Sequence, residues 1–138
     1  MIYAVIDANV LVSALITKNP EAATAKVVRL LLDNGFLPMY DADIIAEYNE
    51  VLHRKKFPIR PDVADSLISY IIEYGVEASR VDFTESMPDE DDRVFYEVSL
   101  SDEDSFLVTG NLKHYPMSPH VITPAQFVDI MESLGQGL

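Results

Sequence analysis

The chain has 138 residues, of which 49% are hydrophobic and 24% charged. That balance excludes a disordered chain and fits a single globular domain over residues 1–138, large enough to enclose one hydrophobic core. The absence of cysteine excludes disulfides, thiolate metal sites and a cysteine nucleophile, while a formal net charge of −13 repels phosphate backbones in general and attracts cations.

The chain opens MIYAVIDANV, without the basic start or small-residue cleavage site of a secretory signal. No uninterrupted apolar stretch approaches the ~18–20 residues that cross a bilayer. A soluble, cytoplasmic protein with no membrane partner is expected. Residues 2–6 form an apolar run of the kind that makes a fully buried strand. Asp7 ends that run, and NVLVSALI begins a helical pattern. A second helix is expected over 21–34, with Ala25, Val28, Leu31 and Leu32 at helical spacing and Gly35 as its stop. Residues 36–40 read as a second strand. Asp41 or Asp43 then caps a helix running to about Lys55, before Pro58 and Pro61 break the chain.

Val63, Leu67, Ile68, Ile71 and Ile72 mark another amphipathic helix, ended by Gly75. A third strand is expected over 76–83, and a helix from the acidic run 89–92 through Leu100. Residues 105–109 read as a fourth strand and 121–122 as a short fifth. Thr123 and Pro124 suit the cap and first turn of a final helix ending near Gly135. Strands separated by helices throughout predict an α/β fold of three layers, α/β/α, with a mostly parallel, Rossmann-like sheet of about five strands. In such sheets, sites lie outside the carboxyl ends of the strands.

Three acidic positions stand out. Asp7 directly follows a buried strand, which puts its carboxylate at the sheet edge; capping the next helix is the plainer role. Glu47 lies at the margin of the stripe Ile44, Ile45, Tyr48, Val51 and Leu52, at about 100° per residue, so it either reaches a cleft or stays half exposed. Asp89, Glu90, Asp91 and Asp92 complement a helix dipole, yet four acids exceed what one cap needs. A divalent cation would relieve their repulsion, and oxygen ligands of this kind suit Mg²⁺ or Mn²⁺ rather than zinc. His53, His114 and His120 lack zinc-binding spacing and are expected as surface or structural residues. The basic side chains Arg54, Lys55, Lys56 and Arg60 cluster within seven positions, either to guide a phosphate backbone or to compensate a helix C-terminus.

The blocks "AVIDANVLVSAL", "IIAEYNEVLHRKKF", "DEDDRVFYEV" and "SFLVTGNLKHYP" occur in the order and approximate spacing of PIN-domain motifs. Over nearly its whole length the chain resembles that family, in particular the bacterial toxin components of toxin–antitoxin systems. The resemblance implies a Mg²⁺- or Mn²⁺-dependent endoribonuclease in which Asp7, Glu47 and Asp92 bind metal and carry catalysis. It implies that Asn9 orients the site, that Asp89 is an outer contributor, and that Thr109 is the hydroxyl residue ending the fourth strand. RNA is the implied substrate, and an antitoxin and a homodimer are implied partners. The chain departs from the pattern twice: Ala8 stands where many relatives carry Thr, and Asn111 replaces a fourth acid. Asn111 offers a cation only an uncharged amide oxygen, so weaker binding of any second metal is expected. The alternative is a catalytically weakened module that works by binding protein or RNA. A phosphoaspartyl phosphatase would need a second Asp in place of Asn9, and a dehydrogenase a Gly-rich turn after the first strand.

Overall fold

The computed structural model describes residues 1–135. Its strands are β1 (Tyr3–Ile6), β2 (Leu37–Tyr40), β3 (Val76–Glu77), β4 (Phe106–Val108) and β5 (Val121–Ile122). Its helices are α1 (Ala8–Ile16), α2 (Ala23–Leu32), α3 (Ala42–Leu52), α4 (Pro61–Tyr74), α5 (Arg93–Ser99) and α6 (Pro124–Gly135). The strands form one parallel sheet in the order β3-β2-β1-β4-β5, flanked by the helices in three α/β/α layers. Central β1 explains its own sequence: Ala4, Val5 and Ile6 are covered on both faces, so the run is apolar without alternation. Among the helices, α1 lies against α2, α2 against α6, α3 against α1 and α4, and α5 runs across β1, β2 and β4. None among the described residues is long and apolar enough to cross a membrane.

The strand order sets where a site can form. From β1 the chain moves outward to β2 and β3, then crosses back to place β4 on the other side of β1. Connections diverge at this reversal and leave a crevice at the strands' carboxyl ends. Ile6 is in register with Val108, and the Asp7 N–H extends the ladder to the Val108 carbonyl at 3.0 Å. Asp7 and Thr109 therefore leave the sheet side by side.

Local chemistry decides the helix ends. Asp41, rather than Asp43, caps α3, its carboxylate accepting from the Ile44 N–H at 2.8 Å. The stop of α2 lies one residue before Gly35: Asn34 takes the left-handed conformation (φ 59°). The N–H groups of Asn34 and Gly35 return to the carbonyls of Leu31 and Leu30, a Schellman motif. Gly75 serves close approach rather than a left-handed turn. A Cβ there would lie 2.4 Å from the Ile71 carbonyl oxygen and 2.6 Å from that of Pro38. Thr123 and Gln126 cap α6 reciprocally, each side-chain oxygen accepting the other's backbone N–H.

Three expected elements stand out as shorter than their patterns suggested. The third strand stops at Glu77 instead of reaching residue 83. Beyond it the backbone turns to α5: the Phe83 N–H donates to the Glu97 carboxylate at 2.8 Å and the Val81 N–H to the Glu97 carbonyl at 3.1 Å. The acidic run 89–92 opens as a 3₁₀ turn over Glu90–Asp92, and the α-helix proper covers only Arg93–Ser99. Helix α3 also ends at Leu52, short of Lys55.

Candidate metal centre

Asp7 is 1% exposed, a buried carboxylate that must be compensated by hydrogen bonds. Its Oδ1 accepts from the Asn9 N–H at 3.1 Å, which makes it the cap of α1 as well. Its Oδ2 accepts from the Thr109 hydroxyl at 2.9 Å and the Tyr115 hydroxyl at 3.0 Å. Thr109 in turn accepts the Asn111 N–H at 3.0 Å, tying the end of β4 to the following turn. Burial, with Asp7 close by, pushes the Tyr115 phenol far above its ordinary range, so it remains a donor at any working pH. Beneath this group the Tyr48 hydroxyl donates to the Ile6 carbonyl, fixing α3 against the end of β1.

The second wall comes from the 3₁₀ turn. Asp89 caps it by accepting the Asp91 N–H at 3.0 Å. Asp92 is 9% exposed, and its Oδ2 lies 3.0 Å from His114 Nδ1, which also lies 3.6 Å from Asp89. Burial, then the charges of Asp7 and Asp89, push the Asp92 carboxyl up to about 6, against the opposing pull of His114. Glu47 stands on α3, half buried. Its carboxyl is raised first by loss of solvent and then by Glu50 and Asp91. Glu47 and Asp92, whose ionised forms are disfavoured by burial and by neighbouring acids, thus face one space.

That space is a cleft of about 350 Å³ lined by Asp7, Asn9, Glu47, Asp89, Asp92 and His114, with Glu50, Arg54 and Asp91 also on its walls. Asn111 is outside it, in the adjoining depression with Lys113 and Thr123, and Thr109 lies buried below Asp7. Of the basic cluster only Arg54 reaches the cleft, and its guanidinium is held by Glu50 at 2.7 Å. Lys55, Lys56 and Arg60 are not on its walls, and Arg60 pairs with Asp62 at 2.7 Å. His114, expected as a surface or structural residue, is on the wall.

A buried brace positions the acidic turn. Glu97 of α5 accepts from Arg80 and from the Phe83 N–H; Arg80 also reaches Asp43 at 2.7 Å. Arg93 donates to the Phe83 and Glu85 carbonyls and to Glu90. Burial raises Glu97, but Phe83 and Arg80 outweigh it and hold the carboxyl below its usual range. The segment leading to Asp89 is thereby fastened to α5 on both sides.

Carboxylates converging at the switch point of a parallel sheet define an α/β protein with a candidate cation-binding cleft. The family model described as PIN domain matches residues 3–113, and the chain belongs to that family. PIN domains are generally nucleases that use divalent metals. Neither a curated protein nor a solved structure matches the chain.

Proposed function

We propose that the protein is a metal-dependent endoribonuclease that hydrolyses RNA phosphodiester bonds, acting as the toxin of a toxin–antitoxin pair. The observation that carries this reading is the gathering of Asp7, Glu47, Asp89 and Asp92, acids from three separate segments, around one cleft. The donor set fits a hard divalent cation, Mg²⁺ or Mn²⁺, because carboxylate oxygens dominate it and Arg54 and His114 offset their mutual repulsion only in part. Asp7, Glu47 and Asp92 would hold the ion, directly or through water. A bound ion supplies charge neutralisation and a lowered water pKa, the two things phosphodiester hydrolysis needs here.

The chain's own groups do the rest. Asn9, Thr109 and Tyr115 fix both oxygens of Asp7, so its carboxylate is oriented before any ligand arrives. Arg54 supplies a positive charge at the mouth of the cleft where a phosphate would enter, although Glu50 competes for it. Asp92 remains charged above about pH 6, so cation binding strengthens as the pH rises through that value. Support for RNA as substrate and for a toxin role comes from the motif resemblance. The test is cleavage of a structured RNA by the purified full chain with Mn²⁺. The double variant Asp7→Asn/Asp92→Asn and excess chelator are each expected to abolish cleavage. Equal cleavage by the double variant would sink the assignment.

Asn111 favours a second reading, a module that binds an antitoxin or RNA without cutting, since the position of the missing acid lies outside the cleft. It predicts no uptake of Mg²⁺ or Mn²⁺ at millimolar concentration by a correctly folded chain.

A further inference from the structure

We propose that His114 is a nitrogen ligand of the cation held by Asp89 and Asp92, giving the cleft a preference for Mn²⁺ over Mg²⁺. The inference rests on the metal-dependent reading above and adds to it the identity of a ligand and of the favoured metal.

Geometry is the first argument. One ligand atom each from Asp89, Asp92 and His114 falls within a set spanning no more than 4.8 Å. Within it His114 Nδ1 lies 3.0 Å from Asp92 Oδ2 and 3.6 Å from Asp89 Oδ2. With metal–ligand distances of about 2.1 Å, neighbouring ligands lie about 3.0 Å apart around an octahedral ion and about 3.4 Å around a tetrahedral one. The two separations from His114 are close to those values, and the third, between Asp89 and Asp92, is no more than 4.8 Å.

The connection between β4 and β5 sends a single side chain to the cleft wall among the described residues, and it is His114 rather than Asn111. On the opposite side Asp92 is 9% exposed. Its Oδ2 contacts His114, and its other oxygen has no hydrogen-bond donor among the described residues. That oxygen is open to the cleft, since no buried side-chain oxygen among the described residues lacks a partner, and it can take a cation. Mg²⁺ favours an all-oxygen octahedron and sheds water reluctantly, whereas imidazole suits the transition metals.

The competing role for His114 is a simple ion pair with Asp92. The two roles predict opposite responses. As a ligand, His114 strengthens Mn²⁺ binding and leaves Mg²⁺ nearly indifferent to its loss. As a counter-charge, it competes with every cation, so its removal tightens both.

The experiment is pulsed electron paramagnetic resonance of Mn²⁺ bound to the full chain, paired with calorimetric titration of Mn²⁺ and Mg²⁺ into wild type and His114→Gln. The expected result is ¹⁴N modulation from coordinated imidazole in the wild type and none in His114→Gln. The variant's Mn²⁺ affinity should fall about tenfold or more, with Mg²⁺ affinity nearly unchanged. Bound Mn²⁺ without ¹⁴N modulation in the wild type overturns the inference alone and needs no variant. Modulation that persists in His114→Gln, or affinity for both ions rising in it, also overturns it. Failure of the wild type to bind either ion at millimolar concentration overturns the metal-dependent reading as well.

Discussion

Replacing Asp92 by Asn should stabilise the metal-free protein while removing its response to metal. Burial and the neighbouring charges of Asp7 and Asp89 raise the Asp92 carboxyl from 3.8 to about 6. At 1.36 kcal/mol per tenfold change in proton affinity, this places about 3 kcal/mol of strain on the ionised form at neutral pH. The folded state binds the proton more tightly than the unfolded state. Asp92 therefore favours folding most below about pH 4, and that contribution is lost as the pH rises to about 6. Asn removes the charge, keeps the volume and can still accept from His114, though less strongly. A net gain of about 1–2 kcal/mol above pH 7 follows, or roughly 5 °C in Tm for a chain of this size. The assay is thermal unfolding in chelator at pH 4 to 8, repeated with Mn²⁺. Wild type should lose stability between pH 4 and 6 more steeply than the variant. At about 100 times Kd, Mn²⁺ should return about 2.7 kcal/mol to the wild type and much less to the variant. A variant that melts below wild type at pH 8 in chelator, with an unchanged pH slope, refutes the reasoning.

Other substitutions test the surrounding frame. Tyr115→Phe removes one of three donors to the buried Asp7 and should cost about 1–2 kcal/mol by urea unfolding, with weaker metal binding by calorimetry. Glu97→Gln strips the buried counter-charge from Arg80 and Arg93; because Arg80 can regain water, a loss of about 2–3 kcal/mol is expected rather than more. Gly75→Ala forces a Cβ against two carbonyl oxygens and should cost about 3 kcal/mol. Gly110→Ala, with nothing within 4 Å of the added carbon, should change stability by less than about 0.5 kcal/mol.

The sheet was readable because each buried strand is an apolar run bounded by a polar residue, and Asp7 was readable because it closes the central run. Glu47 could be placed from its angle on α3. The third strand was overestimated because residues 76–83 carry strand-like residues, while their backbone partners, Glu97 above all, lie on a helix distant in sequence. Tyr115 and His114 escaped for a related reason. Both sit in or beside a second 3₁₀ turn, Leu112–His114, with no periodicity, and their partners, Asp7 for Tyr115 and Asp92 for His114, are 108 and 22 residues away. The "LKHYP" segment held the signal as two ring residues placed just after a strand end at the reversal of the sheet. The basic cluster misled because neighbours in sequence need not share a surface: past the end of α3 only Arg54 of the four, held by Glu50, stays on the cleft wall.

Manganese soaked into crystals of the wild-type chain, located by anomalous scattering, measures the central claim most directly. A peak inside the cleft, within about 2.0–2.3 Å of a carboxylate oxygen of Asp92, is the predicted result. A cleft without anomalous density at saturating Mn²⁺ would contradict the account.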